Sequence, residues 1–203
     1  MDNGNLLIEG KRAGQMKYRV PVPGMHNVMN ALAALAVGHS LGLSFDEMWG
    51  GLGRFAPSAM RMHFIDMADG VTIVDDSYNA NPVSMRCAID AVLQSAAGRP
   101  VVAVLGDMLE LGAESASYHR DVGRYAARRG ISALVAMGPM AGQVASGAID
   151  AGMQSASVAS CLEPAEAAAL AEAMAKPGSV ILVKGSRGMQ MERVVEALST
   201  CGS

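Results

Sequence analysis

The chain has 203 residues, 51% of them apolar, and a formal net charge of -3 with mixed signs; that is enough for one ordinary domain plus a piece, or two small ones, with a filled core. The absence of a basic stripe and an aromatic content of 4% speak against a nucleic-acid partner. Apolar runs such as Ala31 to Val37 are broken by Gly38, His39 and Ser40, well short of the roughly 18 residues of a membrane helix, and no leader pattern opens the chain, so a cytoplasmic location is expected.

Asn5 to Glu9 and Lys17 to Val22 read as two strands around the turn-rich Gly10 to Gln15, and Pro23 and Gly24 end that unit. A helix from about Met25 to Leu41 follows, with Val28, Leu32, Leu35 and Ala36 on one side. A second helix, Ser44 to Leu52, opens on a capping box of Ser44 and Glu47 and stops at Gly50, Gly51 and Gly53. Arg61 to Met67 alternates as a strand, and Asp69 and Gly70 turn into a β-branched strand, Val71 to Val74. Asn81 then suits an N-cap with Pro82 at N1, and Met85, Ala88, Ile89, Val92, Leu93 and Ala96 continue as one apolar helical face.

Beyond that junction strands and helices alternate: Val101 to Leu105, a helix near Ser115 to Arg129, Ile131 to Ala136, and a helix near Ala141 to Ala151. A weak strand near Ser157, a helix from Pro164 to Ala175, a strand from Val180 to Val183 and a helix from Met189 to Leu198 complete the order. Apolar strands between helices of this length predict an α/β fold, a mostly parallel sheet covered on both faces. The boundary between the two parts is expected near Asp75 to Tyr78, and the first part reads as the tail of a larger domain whose sheet is missing.

Three strand ends carry polar loops that a parallel sheet brings to one rim, where open α/β sheets bind ligands. They are Asp75 to Asn79, Gly106 to Glu110 with Asp107, and Lys184 to Arg187. In KGSRG two glycines let backbone amides approach a ligand, and Lys184 and Arg187 supply positive charge suited to a carboxylate or phosphate. Solvated surface turns, or a turn plus N-cap at Gly106-Asp107, are the alternatives for single loops. His26, Asn27 and Asn30 open a helix, where an amide pair can read an adenine edge or simply form a polar first turn. His39, His63 and His119 share no ligand spacing, so no metal site is assigned. The cysteines Cys87, Cys161 and Cys201 are read as reduced thiols, and no nucleophile elbow or GxxxxGK[ST] loop occurs.

With these residues laid out, the chain resembles the Mur ligase family, in the form of its D-alanyl-D-alanine-adding member. The resemblance rests on PGMHNVMNALAAL at Pro23 to Leu35, DDSYNANPVSM at Asp75 to Met85, VLGDMLELG at Val104 to Gly112 and VKGSRGMQME at Val183 to Glu192. It implies a Rossmann-like C-terminal ligase domain over residues 76–203, preceded over residues 1–75 by the C-terminal part of a central ATP-binding domain. It also implies an ATP- and Mg²⁺-dependent reaction in which the terminal carboxylate of a UDP-N-acetylmuramoyl tripeptide is phosphorylated and the amine of D-Ala-D-Ala attacks the acyl phosphate.

Carried over by motif, Asn30 would contact adenine with Asn27 beside it, Arg61 the ATP phosphates and Asp76 the ribose, with Tyr78 next to the nucleotide. Asn79, Asp107, Lys184, Ser186 and Arg187 would face the incoming dipeptide, and the junction at Asp75 to Tyr78 would serve as a hinge. Met60 stands where the family usually carries glycine before this arginine. The family's UDP-binding domain, phosphate loop, catalytic glutamate and carbamoylated lysine have no counterpart in these residues, so no catalytic residue is assigned and the chain is expected to be inactive alone. A related ligase of the muramoyl or folylpolyglutamate type, or a non-catalytic binding module on the same fold, are the alternatives.

Overall fold

Five consecutive buried residues, Val-Ile-Leu-Val-Lys at 180–184, form the strand that the main sheet is built around, and such an unbroken buried run is what a strand covered on both faces requires. The computed structural model describes the backbone of residues 5–10, 14–19, 25–55 and 60–201. The expected turn at 11–13, strand end at 20–22, Pro23-Gly24 stop and the side chains of His26 and Cys201 lie outside the described residues.

The chain divides into two units, Met1–Pro57 and Ser58–Ser203. In the first, β1 (Asn5–Gly10) pairs antiparallel with β2 (Gly14–Arg19). Helix α1 (Met25–Ser40) buries Ala31 and Leu35 against Met48 and Trp49 of α2 (Phe45–Gly53). The capping box forms as expected: Ser44 accepts from the Glu47 amide while the Glu47 carboxylate accepts from the Ser44 amide. Met29, Val37, Leu41 and Phe55 remain exposed.

The second unit is a six-stranded sheet in the order β3-β4-β8-β5-β6-β7. Its strands are β3 (His63–Asp66), β4 (Thr72–Asp76), β5 (Val101–Gly106), β6 (Ala133–Met137), β7 (Val158–Cys161) and β8 (Val180–Lys184). All pair in parallel except β3, which forms an antiparallel hairpin with β4. The fold class is therefore the α/β, mostly parallel sheet expected. The hairpin has a consequence for the division of the chain: β3 zips along β4, so the break in the contacts falls between Pro57 and Ser58, ahead of the junction at 75–76.

On one face, Ile73, Val102, Val104, Val135, Ile181 and Val183 pack against Ala167, Ala168 and Ala171 of α6 (Pro164–Met174) and Val194, Val195 and Leu198 of α7 (Glu192–Cys201). The alternate residues of these strands face the other layer, α3 (Pro82–Ala96), α4 (Ser115–Arg129) and α5 (Ala141–Asp150). Helices α4 and α5 approach to backbone contact: a methyl on Gly123 would overlap the Val144 carbonyl, and one on Gly147 the Arg120 carbonyl. No larger residue fits at either crossing point.

Two starts come later than the pattern suggests. Ile131 donates to the Ala126 carbonyl across left-handed Gly130, closing α4, so β6 begins at Ala133. A 3-10 turn at Arg187–Met189 precedes α7, which begins at Glu192.

Candidate functional site

Strand order brings the three polar loops together: β8 lies between β4 and β5, with Lys184 in register with Asp76 on one side and Leu105 on the other. All three strands run in parallel, so the segments after Asp76, Gly106 and Lys184 leave from the same rim. Tight passage is built in. A methyl on Gly106 would strike Met191, and one on Gly185 would lie 2.6 Å from the same side chain and 3.1 Å from the Gly106 Cα.

After β4, Asp75 accepts from the Ser77 amide and hydroxyl, which turns the chain sharply within the interior. Asn81 and Ser84 form a reciprocal cap at the start of α3, with Pro82 in its first turn. Between these turns Tyr78 and Asn79 are exposed. Asn79 caps locally, its side-chain oxygen accepting from the Ala80 amide at 2.8 Å.

Lys184 is only 4% exposed. Its ammonium donates to Asp76 Oδ2 at 2.6 Å and to the Asn79 carbonyl at 2.9 Å, while Asp76 Oδ1 accepts from the Met62 amide at 3.2 Å. Both oxygens of Asp76 are thus engaged, and the pair ties β8, the loop after β4 and the segment before β3 into one piece. Arg61 stacks on Tyr78, its guanidinium carbon 4.2 Å from the ring centroid, and the Tyr78 amide donates to the Met60 carbonyl at 3.0 Å. Arg61 is exposed and has no carboxylate within ion-pair distance among the described residues. Arg187 is also exposed, paired at 3.0 Å with Glu192 and touching the Met60 sulfur at 3.6 Å.

Ser186 is the central tie. Its amide donates to the Asp107 carbonyl at 3.0 Å, its hydroxyl accepts from the Leu109 amide at 2.9 Å, and the hydroxyl donates to the Ala80 carbonyl at 3.3 Å. Asp107 is buried rather than presented at the rim. Both of its carboxylate oxygens accept from the Met140 amide at the start of α5, at 3.1 and 3.2 Å. Burial pushes this carboxyl above its ordinary range, against the opposing pull of the Met140 amide. Non-glycine residues with positive φ cluster around the same loops: Met60, Met62, Glu110 and Gln190. Backbone strain of this kind persists where the surroundings over-determine it.

Asp76, Tyr78, Asn79, Lys184, Ser186, Arg187, Asp107 and Arg61 therefore belong to one unit and one set of connected loops. Asn27 and Asn30 lie on α1 of the other unit, Asn27 half-buried and Asn30 exposed. His119 is a participant that sequence spacing does not single out. It lies one helix away and is 1% exposed, with Nε2 accepting from the Met108 amide at 2.9 Å. The rim suits anions: Arg61 and Arg187 present guanidinium groups to solvent, backed by a neutralised Lys184–Asp76 pair. The described residues contain no cluster of three or more His, Cys, Asp or Glu able to hold a metal ion.

The family model described as Mur ligase, glutamate ligase domain, matches residues 60–187. Curated relatives include the UDP-N-acetylmuramoyl-tripeptide–D-alanyl-D-alanine ligases of Mycobacterium leprae, 37% identical over 92% of this chain and 39% of that protein, and of Escherichia coli K12, 35% identical over 94% and 40%. A crystal structure of MurF from Acinetobacter baumannii superposes with a TM-score of 0.83 at 32% identity, covering 97% of this chain and 42% of that one. The chain spans about two fifths of the length of the relatives it matches. The family model covers the rim from Met60 to Arg187, and the relatives extend the match through both units: this chain belongs to the Mur ligase family.

Proposed function

We propose that this chain is the C-terminal part of an ATP-dependent ligase that joins D-Ala-D-Ala to a UDP-N-acetylmuramoyl tripeptide in peptidoglycan precursor synthesis. The observation that carries the reading is the joining of Arg61–Tyr78, Asp76–Lys184 and Ser186–Arg187 into one anion-suited rim, in a chain whose relatives bear that activity in their names. In the reaction, the γ-phosphoryl group of ATP passes to a carboxylate oxygen of the tripeptide, giving ADP and an acyl phosphate. The dipeptide nitrogen then attacks the acyl carbon, inorganic phosphate leaves with the C–O bond electrons, and the nitrogen loses a proton.

On this reading, residues 1–57 continue the ATP-binding domain, and the exposed Met29, Val37 and Leu41 are the face its missing sheet covers. Asn27 and Asn30 read adenine, Arg61 the phosphates, Asp76 and Tyr78 the ribose side. Asn79 and Arg187 meet the dipeptide, and the buried Lys184, Ser186 and Asp107 hold the loops that carry them. The magnesium ligands and phosphate loop lie in the remaining part of the ligase. UDP-linked and ATP substrates put the work in the cytoplasm, and among the described residues no helix is long and apolar enough to cross a membrane.

The test is phosphate release from Mg-ATP with the UDP-muramoyl tripeptide and D-Ala-D-Ala, first with this chain and then with the chain joined to an N-terminal ATP-binding part. Dipeptide-dependent release only from the joined protein supports the proposal. Equal release with an unrelated amine in place of D-Ala-D-Ala refutes the substrate, and turnover by the chain by itself refutes the need for a separate phosphate loop.

A further inference from the structure

The segment after β5, Asp107 to Leu111, carries the exposed Leu109 against the backbone of Gly188, where an added methyl would come within 2.8 Å of the Leu109 Cδ1. Gly188 directly follows Arg187, whose exposed guanidinium pairs with Glu192. An apolar side chain against the backbone next to an exposed arginine suits a small peptide with a methyl side chain and a free carboxylate. Asp107 anchors the start of the segment through the Met140 and Ser186 amides. Beyond it the segment contains left-handed Glu110, and Leu109 and Glu110 are exposed.

Its middle is held from α4. His119 accepts from the Met108 amide through Nε2 at 2.9 Å and meets the Ser115 carbonyl through Nδ1 at 2.7 Å. A backbone amide can only donate and a carbonyl can only accept, so the imidazole is neutral and carries its proton on Nδ1. Asp107 Oδ1, 3.9 Å from Nε2, faces a lone pair and is too distant to compete. The next amide along, Leu109, donates to Ser186. Two successive amides of one segment are thus bound by side chains from two different elements, α4 and the loop after β8.

We propose that His119 is a positioning residue for the dipeptide-binding rim: by binding the Met108 amide it fixes Leu109, and with it the Ser186 hydroxyl, in the arrangement that receives the small amine substrate. The inference rests on the dipeptide reading above for what the rim receives, whereas the latch itself is measurable without any ligand.

Two variants separate the latch from packing. His119→Phe keeps a ring and loses the acceptor, and His119→Gln keeps an acceptor near the Nε2 position. Amide hydrogen exchange on the chain follows Met108 and Leu109 against the sheet amides of Val104 and Leu134. His119→Phe is expected to speed exchange at Met108 and Leu109 by about ten-fold or more with the sheet unchanged, and His119→Gln to restore most of the protection. Unchanged protection at Met108 and Leu109, or uniform acceleration across the sheet, overturns the proposal. Should His119→Phe fail to fold, the imidazole nitrogen shifts of the unsubstituted chain decide, because a proton on Nε2 overturns it outright. In the complete ligase, His119→Phe is expected to raise the KM for D-Ala-D-Ala about ten-fold while the KM for ATP stays level. An equal shift in both overturns the positioning role. Absence of dipeptide-dependent turnover in the unsubstituted ligase instead refutes the substrate reading, whatever the exchange data show.

Discussion

Replacing Lys184 with methionine removes the cation at the meeting point of β8, the loop after β4 and the segment before β3, at nearly constant volume. Two short hydrogen bonds go with it, to Asp76 at 2.6 Å and to the Asn79 carbonyl at 2.9 Å. The Asp76 side chain is 14% exposed and, among the described residues, keeps the Met62 amide as its one partner. Breaking a buried pair by removing one partner costs about 3–5 kcal/mol, because a buried charge is left without compensation. The small solvent access of Asp76 argues for the lower end, about 3 kcal/mol, a large share of the roughly 5–15 kcal/mol that holds a domain together. The companion variant Lys184→Met with Asp76→Asn removes both charges and is expected to recover at least half of that loss. Urea titration followed by far-UV circular dichroism measures both, since Trp49 lies in the other unit and its fluorescence reports on that unit. A loss below about 1 kcal/mol in the single variant would refute the claim that this pair is shielded from water. A double variant worse than the single one would refute the charge argument and leave packing as the cause.

Gly123→Ala and Gly147→Ala each place a methyl against a backbone carbonyl across the α4–α5 crossing. Each is expected to cost about 1–3 kcal/mol or more by urea titration, and a neutral effect would mean that the helices separate freely. Met60 holds φ at +65°, so Met60→Gly is expected to stabilise the fold by up to about 1 kcal/mol, less what its sulfur contact with Arg187 contributes. Thermal melting shows which term wins, and a clear loss would mean that the contact outweighs the backbone. Burial holds the Asp107 carboxyl above its unfolded value; the folded state then binds that proton more tightly, so the group's penalty is full above the folded pKa and fades as pH falls toward the unfolded one. Asp107→Asn should accordingly gain on the parent at pH 7 and lose that advantage on acidification, and paired urea midpoints between pH 7 and 4 that diverge instead would contradict the sign. The Cys161 thiol is pushed up to about 11 by burial, with Glu166 adding to it, leaving about one part in a thousand as thiolate at pH 8. Mass spectrometry after iodoacetamide treatment at pH 8 should find Cys161 unmodified in the folded chain and modified in urea.

Features specified by neighbours in the chain were readable from the sequence. The Asn81-Pro82 start of α3, the Ser44–Glu47 box of α2, the span of α4 and the buried runs at 101–105 and 180–183 each follow from capping chemistry or hydrophobic period over a few residues. The same holds for the three polar loops, because a parallel sheet sends every strand end to one rim. Even the late start of β6 had a local signal in Gly130, which terminates α4 and uses the next residue for the cap.

What neighbours in the chain could not specify was which distant groups meet. That β8 inserts between β4 and β5, joining Lys184 to Asp76 across 108 residues, depends on strand order, and order depends on how the helices cover both faces. The burial of Asp107 at the head of α5, the His119 latch on Met108 and the Gly123–Gly147 crossing are likewise contacts between elements, invisible to any local pattern. A cap or a period is satisfied by residues within one turn and so is written in the residues themselves. A buried polar group must instead find its partner wherever packing places one, and only the assembled sheet and its helices determine that.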